Sequence, residues 1–138
     1  MEREILFRGK LEYNGKWIYG DLLQYENGDV AIFGEKLSSF GCECTEMSKR
    51  DRVTPDTIGQ YTGLKDKDGN KIFEGDILDY TLFDAFGEDH QYKGVVKWID
   101  DCFICDNSDG FNGLAWAVNQ SLELEVIGNV TDNPELMK

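Results

Sequence analysis

The sequence predicts a mainly β protein with little helix, arranged as a small barrel or sandwich. Three glycine-containing turn signals, Asn14-Gly15, Asn27-Gly28 and Asp68-Gly69, each lie between short segments with apolar residues. Near the carboxy end, "LELEVIGNV" alternates between apolar and acidic residues, which is the pattern of a half-buried strand. Little of the chain shows the spacing of an amphipathic helix, so strands joined by tight turns are expected throughout.

The length and composition fit one domain or two small lobes. The chain has 138 residues, of which 41% are hydrophobic, and this is enough for a packed core. Residues 34–55 show neither strand nor helix periodicity and are expected to form a long loop. We therefore predict an amino-terminal β-hairpin lobe over residues 1–55 and a carboxy-terminal barrel lobe over residues 56–138, with a single unit as the alternative.

The first two turn signals predict two hairpins with specific strand pairing. A type I′ turn at Asn27-Gly28 would place Tyr25 opposite Val30 and Leu23 opposite Ile32. The first hairpin would pair Leu11 with Ile18, which leaves Trp17 on the other face. Apolar residues on both faces indicate contact with a second layer or with another subunit.

The stretch "GQYTGLKDKDGNKIFEGDIL" contains acidic residues and glycine in a pattern that invites a calcium or phosphate interpretation. A calcium loop beginning at Asp66 would need glycine at its sixth position and glutamate at its twelfth, where this chain has Lys71 and Ile77. We therefore interpret the stretch as a hairpin that turns at Asp68-Gly69 and pairs Asp66 with Lys71.

The carboxy-terminal half predicts further strands, at 77–83, 92–99 and 102–105. Residues 84–91 are expected to form an acidic loop, and residues 114–118 a short strand or one helical turn. In the last strand, Leu122, Leu124 and Val126 are expected to point inward.

Four cysteines occur as two close pairs, Cys42 with Cys44 and Cys102 with Cys105. Four thiolates can hold zinc, so a zinc-binding protein is one alternative. Only the second pair has the usual ligand spacing, and it encloses two apolar residues as a buried strand would. Packing of free cysteines is therefore favoured, and neither a metal site nor a cofactor is predicted.

The formal net charge of −13 disfavours direct binding to nucleic acid, because phosphate backbones are also negative. A second alternative follows from the same charge: an acidic surface that mimics DNA and occupies a host nucleic-acid-binding protein. The chain has no long apolar segment and no secretory signal, so it is expected to avoid membranes and to be cytoplasmic.

The candidates for catalysis are sparse. His90, beside Asp89 in the acidic loop, is the single histidine of the chain. A catalytic triad would have to use it, yet no nucleophile motif accompanies it. The adjacent carboxylates at 88–89 and 100–101 are expected in an acidic chain, and the latter pair is explained by a turn. We therefore predict no catalytic residues and no enzyme activity.

Aromatic residues are the last abundant class of residue that needs an interpretation. They predict a core, and alternatively a stacking platform or a groove for a partner peptide. The six candidates for the platform are Trp17, Tyr19, Trp98, Phe103, Phe111 and Trp116.

Three segments, "VTPDTIGQYTGLKDKDGNKIFEGDIL", "GVVKWIDDCF" and "LEVIGNVTDNPEL", resemble the YopX family of phage and prophage proteins. The opening "REILFRGK" is similar to the start of that family. The resemblance implies a mainly β fold with an SH3-like barrel in the second half, and it brings no catalytic residues. Residues 60–63 and 74–76, which carry much of the resemblance, are interpreted as turns and strand starts.

These observations lead to one functional hypothesis. The sequence predicts a non-enzymatic phage or prophage accessory protein that binds an unidentified protein partner or forms a homo-oligomer. The acidic DNA mimic and the zinc-binding protein are the alternatives.

Overall fold

A computed structural model describes residues 3–34 and 52–137 of the chain. In this part the protein is mainly β, with two antiparallel sheets of strand order β3-β2-β1-β4-β5 and β10-β6-β7-β8-β9. The strands are β1 Phe7–Lys10, β2 Trp17–Gln24, β3 Val30–Gly34, β4 Gly59–Lys65, β5 Lys71–Phe73, β6 Asp76–Phe83, β7 Asp89–Ile99, β8 Cys102–Asn107, β9 Gly110–Gly113 and β10 Glu125–Asn129. One α-helix, α1 Leu114–Gln120, and the 3-10 turns Pro55–Thr57 and Pro134–Met137 complete the described elements.

The chain divides into two compact units, Met1–Tyr61 and Thr62–Lys138. In the first unit, β1 lies between β2 and β4 and pairs antiparallel with both. Its buried apolar residues include Ala31, Ile32 and Val53. Gly9 leaves the space that Val53 fills, because a Cβ at Gly9 would lie 3.1 Å from the Val53 Cβ. The described strands of this unit therefore pack on a small apolar core.

The turns at Asn27-Gly28 and Asp68-Gly69 differ from the predicted two-residue type. The amide of Tyr25 donates to the Asp29 carbonyl, and Gly28 donates back to Tyr25, which makes a three-residue loop. The Asp68-Gly69 turn has the same bonds, with Asp66 paired to Asn70 instead of Lys71. Each glycine has a positive φ, 95° at Gly28 and 84° at Gly69, while the residue before it does not. A type I′ turn needs two such residues, so the predicted registers are wrong by one residue.

The observed registers of the first two hairpins also differ from the predicted pairing. Leu23 lies opposite Ala31, and Leu22 lies opposite Ile32. In the first hairpin the Leu11 amide donates to the Lys16 carbonyl, so Ile18 lies opposite Gly9 and not opposite Leu11.

The second unit has its own core between the second sheet and α1. Leu114 and Ala117, three residues apart on α1, belong to this core, which also contains Ile72, Leu78, Tyr80, Leu82, Val96, Cys105 and Leu124. Ser121 caps the carboxy end of the helix: its amide donates to the Ala117 carbonyl, and its hydroxyl accepts the amide of Thr81. Residues 114–118, expected as a strand or one turn, thus begin a helix of seven residues.

The second sheet is open at both edges. No closed barrel is found in the described residues, because the outer strands β9 and β10 pair only with β8 and β6. The predicted SH3-like barrel is therefore not confirmed. The final strand starts at Glu125, later than predicted, and Leu122 is 87% exposed instead of pointing inward. Leu124 is buried as expected.

Candidate functional site

The segment Glu74-Gly75-Asp76 joins β5 to β6 and serves the backbone. The Asp76 side chain is 2% exposed, and its carboxylate accepts the amide of Phe73 at 2.8 Å. Gly75 has a φ of 88°, its amide donates to the Val96 carbonyl, and its carbonyl accepts the amide of Val130. These contacts fix the turn against β7 and against the residue that follows β10. The prediction that these residues form a turn and a strand start is confirmed.

Asp66, the first residue of the calcium-like stretch, is also a structural carboxylate. Its Oδ1 accepts the amides of Asp68 and Asn70, and its Oδ2 accepts the amide of Val126 and the side-chain amide of Asn70. Burial of the carboxylate raises its pKa, but these hydrogen bonds outweigh that effect and hold the pKa below its ordinary 3.8. Both oxygens are therefore occupied by the protein, and the carboxylate connects the turn to β10.

The turn between β6 and β7 repeats this geometry at an exposed position. The Asp84 Oδ1 accepts the amides of Phe86 and Glu88, and its Oδ2 lies 2.9 Å from the His90 Nε2. Residues 84–91 were expected as a loop, but β7 already begins at Asp89. The described structure thus places a carboxylate, and not a serine or a thiol, beside the histidine.

Asp84, Glu88 and His90 form the one metal-ligand group found in the described residues, with ligand atoms within 4.8 Å of one another. All three side chains are exposed. One oxygen of Asp84 is already held by backbone amides, and the other faces the imidazole. The group has the right atoms for a divalent cation but lacks a buried or preformed cage.

The His90–Asp84 contact predicts a measurable titration. The Asp84 carboxylate is the main cause that raises the pKa of His90 above its ordinary 6.5, and nearby Glu88 and Asp89 act in the same direction. We expect Asp84→Asn to lower the His90 pKa and Asp89→Asn to lower it less, because Asp89 acts only through its charge. Imidazole chemical shifts followed by NMR against pH measure both. An unchanged His90 pKa in Asp84→Asn would contradict the contact.

Cys102 and Cys105, the pair with the usual spacing of zinc ligands, are not arranged to bind one ion. Cys102 and Cys105 lie three residues apart on β8, so their side chains point to opposite faces of the strand. Cys102 is exposed and Cys105 is fully buried. Two thiolates on opposite faces of one strand do not meet at a single tetrahedral ion. Cys42 and Cys44, the other predicted ligands, lie outside the described residues.

The two described cysteines should differ in reactivity. Burial raises the pKa of the Cys105 thiol to about 12, so almost no reactive thiolate is present near neutral pH. With Cys42 and Cys44 replaced by serine, we expect iodoacetamide to alkylate Cys102 and to spare Cys105. Mass spectrometry of the peptides gives the two extents, and unfolding in denaturant should make both reactive. Equal labelling in the folded protein would contradict the burial of Cys105.

The predicted aromatic platform does not form one surface. Trp98 lies opposite Phe103 in the sheet and meets it edge to face, with ring centroids 4.8 Å apart. Phe111 lies opposite Asp106, three residues after Phe103 on β8. Its side chain is therefore on the face of the sheet opposite to that of Trp98 and Phe103. The remaining candidates are Trp116 on α1 and, in the first unit, Tyr19 and Trp17, the latter with the Arg8 guanidinium 4.7 Å above its ring. The stacking platform, one of the alternatives for these residues, therefore does not form on a single face of the second sheet.

The carboxylates of the second unit are dispersed. Asp84 and Glu88 lie at one end of β7, and the Asp100-Asp101 turn lies at the other, about 33 Å away for an eleven-residue strand. Others are paired with lysines, Lys97 with Asp106 and Lys67 with Glu125. This dispersal is typical of a surface that keeps a protein in solution, whereas a DNA mimic needs regular rows of carboxylates.

An open cleft of about 740 Å³ lies in the second unit, next to the middle of β6 and β7. Its lining residues are Asp79, Gln91, Tyr92, Lys93, Ser108, Asp109, Leu136 and Met137. The Gln91 side chain already donates to the Asp79 carboxylate at 2.9 Å. The described lining places no histidine beside Ser108, so it does not pair this hydroxyl with an imidazole base.

The most exposed large apolar side chain among the described residues, Phe86, is at the turn of the β6–β7 hairpin, which we call the β6–β7 arm (residues 80–93). β10 pairs with β6 only as far as Asp79, and β8 pairs with β7 only from Gly94 onward, so the arm has two strands. Phe86 at its turn is 92% exposed, and Phe83 is 67% exposed. The arm was not predicted from the sequence, although Asp84-x-x-Gly87 repeats the Asp66-x-x-Gly69 spacing of the other turn.

Comparisons with known proteins agree with this fold. The YopX protein family matches residues 6–138. The structure is similar to the crystal structure of protein EF1440 from Enterococcus faecalis, with a TM-score of 0.61 and 23% sequence identity over 99% of this chain and 100% of that chain. No curated protein matches the sequence. None of the helices in the described part of the chain has the length and apolar character needed to cross a membrane. With almost its whole length matched, the chain belongs to the YopX family.

Proposed function

We propose that this protein is a non-enzymatic accessory protein of a phage or prophage that acts in the cytoplasm by binding another protein or a second copy of itself. The observation that carries the proposal is the β6–β7 arm with its two exposed phenylalanines. Large apolar side chains exposed on a fixed element are typical of protein-binding surfaces. The arm is the binding element in this proposal.

The chemistry of the rest of the molecule supports this proposal. Gly75 and Asp76, which are part of the resemblance to the family, make backbone contacts of a turn. His90, the candidate base, faces a carboxylate instead of a nucleophile. The cleft beside Asp79 has no histidine or cysteine in its lining. The described surface offers an exposed apolar element, which supports a binding role.

Photo-crosslinking tests the proposal. We would place p-benzoylphenylalanine at position 86 of the full chain, irradiate cells that express it, and identify the adducts. The matched control carries the same residue at position 122, because Leu122 is 87% exposed but lies outside the arm. We expect a specific protein adduct from position 86 and none of the same mass from position 122.

Light scattering of the purified protein separates the two modes of binding. A dimer or larger species, with an adduct between two copies, supports self-association. A monomer with an adduct to another protein supports a separate partner. A monomer without any adduct from the arm would overturn the proposal.

A further inference from the structure

We infer that the β6–β7 arm docks into an apolar pocket surrounded by basic residues on a partner protein. This inference rests on the proposed function and adds the chemistry of the partner. Three observations carry it: the arm is fixed at its base and at its turn, it presents a large apolar side chain, and its outer part carries acidic residues without Lys or Arg.

The base of the arm is held by the core of the second unit. Tyr80 and Leu82 alternate into that core, at 1% and 7% exposure. The Tyr80 hydroxyl donates to the side chain of Asn112 and accepts from that of Asn107, both at 2.9 Å. An isolated two-stranded hairpin is only marginally stable, so these contacts are what keep the arm in a defined position.

The turn of the arm is fixed by its own hydrogen bonds. The Asp84 amide donates to the Glu88 carbonyl at 2.9 Å, and the Gly87 amide donates to the Asp84 carbonyl at 3.1 Å. Gly87 has a positive φ of 81°. The Asp84 carboxylate holds the amides of Phe86 and Glu88. Phe86 is thus presented by an ordered turn, and binding it loses little backbone entropy. A rigid exposed aromatic is the kind of side chain that acts as an anchor in a pocket.

The charge of the arm indicates which charge its partner surface must carry. The outer part of the arm, residues 82–92, contains three acidic residues, Asp84, Glu88 and Asp89, and no Lys or Arg, and Lys93 lies at its base. Glu88 and Asp89 are exposed next to Phe86. A surface that receives Phe86 must therefore offer an apolar pocket with a rim of Lys or Arg, because a rim of the same sign would repel the arm. Nucleic acid and anionic membranes are repelled for the same reason, and a second copy of this chain has a net charge of −13 itself.

Three synthetic helical peptides test the chemistry, with the full-length protein followed by NMR. The first has one face of lysine and one of leucine, the second replaces its leucines with serine, and the third replaces its lysines with glutamate. We expect the first peptide to shift signals of residues 83–90, the second to bind more weakly, and the third to leave them unchanged. Raising the salt from about 50 mM to about 500 mM should weaken the first complex.

Matched variants tie the effect to the arm. Phe86→Ala should weaken binding of the lysine–leucine peptide by about 30-fold, the size of a hot spot, while Leu122→Ala should not change it. The double variant Glu88→Lys, Asp89→Lys should abolish the shifts, while Asp101→Lys, Glu123→Lys should keep them. Circular dichroism confirms that each variant is folded, and Asp84 is left unchanged because it holds the turn.

The possible results of these experiments distinguish a failure of this inference from a failure of the proposed function. Equal binding of the serine peptide, or shifts centred outside residues 83–90, would overturn the docking of Phe86. A photo-adduct from position 86 to a partner whose contact surface is acidic, or to a second copy of this chain, would overturn the basic pocket but leave protein binding in place. A basic, pocket-bearing surface on the captured partner, with loss of capture in Phe86→Ala, supports it.

Discussion

Replacement of Asp66 by alanine is expected to lower the free energy of unfolding by about 2 to 3 kcal/mol. The carboxylate accepts four hydrogen bonds, and one of them, from the Val126 amide, joins residues sixty positions apart in the chain. Water can replace the carboxylate at the exposed turn amides of Asp68 and Asn70. It reaches the partly buried Val126 amide less easily, so that donor is left without an acceptor. Denaturant unfolding followed by circular dichroism measures the change.

The same carboxylate should make stability depend on pH at the acidic end. Its pKa is lower in the folded state than its ordinary 3.8, so the unfolded chain binds the proton more tightly. The stabilisation is therefore present above about pH 4 and is lost as the pH falls through the folded pKa. Asp66→Asn cannot ionise, and it should lose less stability than the wild type between about pH 4 and pH 2. Parallel pH profiles for the two proteins would contradict this account.

Asp84 offers a matched control for Asp66. Both residues begin a three-residue turn and accept the amides two and four positions later. Asp84 is exposed and its second oxygen contacts His90, a residue of the same hairpin, whereas that of Asp66 reaches another strand. We expect Asp84→Ala to reduce stability much less than Asp66→Ala. Equal losses would mean that the local turn, and not the connection to β10, is what Asp66 stabilises.

The sequence predicted the strands well because their signals are local. Alternating apolar residues and glycine turns mark β6, β7 and the start of β8. Strand pairing was less accurate, because it depends on which of two turn types an Asn-Gly or Asp-Gly adopts. The presence of glycine fits both types, and only φ at the preceding residue separates them. One residue of difference there moves the register of the whole hairpin.

The candidate site was harder to predict, for a different physical reason. Phe83 and Phe86 are ordinary core residues by type, and their exposure depends on where the neighbouring strands end. β10 and β8 stop pairing at Asp79 and Gly94, which no local pattern in 80–93 indicates. Similarly, Cys102 and Cys105 have the spacing of zinc ligands, and only their place on one strand separates their side chains. The function of such residues is decided by tertiary structure.

In the first unit, Gly20→Ala is expected to lower the free energy of unfolding by about 3 kcal/mol. Gly20 lies in β2 opposite Gly34 of β3. A Cβ at position 20 would lie 2.0 Å from the Phe33 carbonyl oxygen and 2.7 Å from its carbon. These are backbone atoms of the paired strand, so no side-chain rotation relieves the overlap and the strands must separate locally. Thermal or denaturant unfolding measures the loss.

The residue opposite provides the control for Gly20→Ala. A Cβ at Gly34 would first meet the Ile18 Cδ1 at 3.2 Å, the end of a flexible side chain that can move aside. Gly34→Ala should therefore change stability much less, although both glycines occupy the same pair of the β2–β3 hairpin. If the two variants were equally destabilised, the cause would be a general intolerance of alanine at this pair instead of the close approach of β3. A large difference locates the constraint at the Phe33 carbonyl, which makes glycine at position 20 a requirement of the observed β2–β3 register.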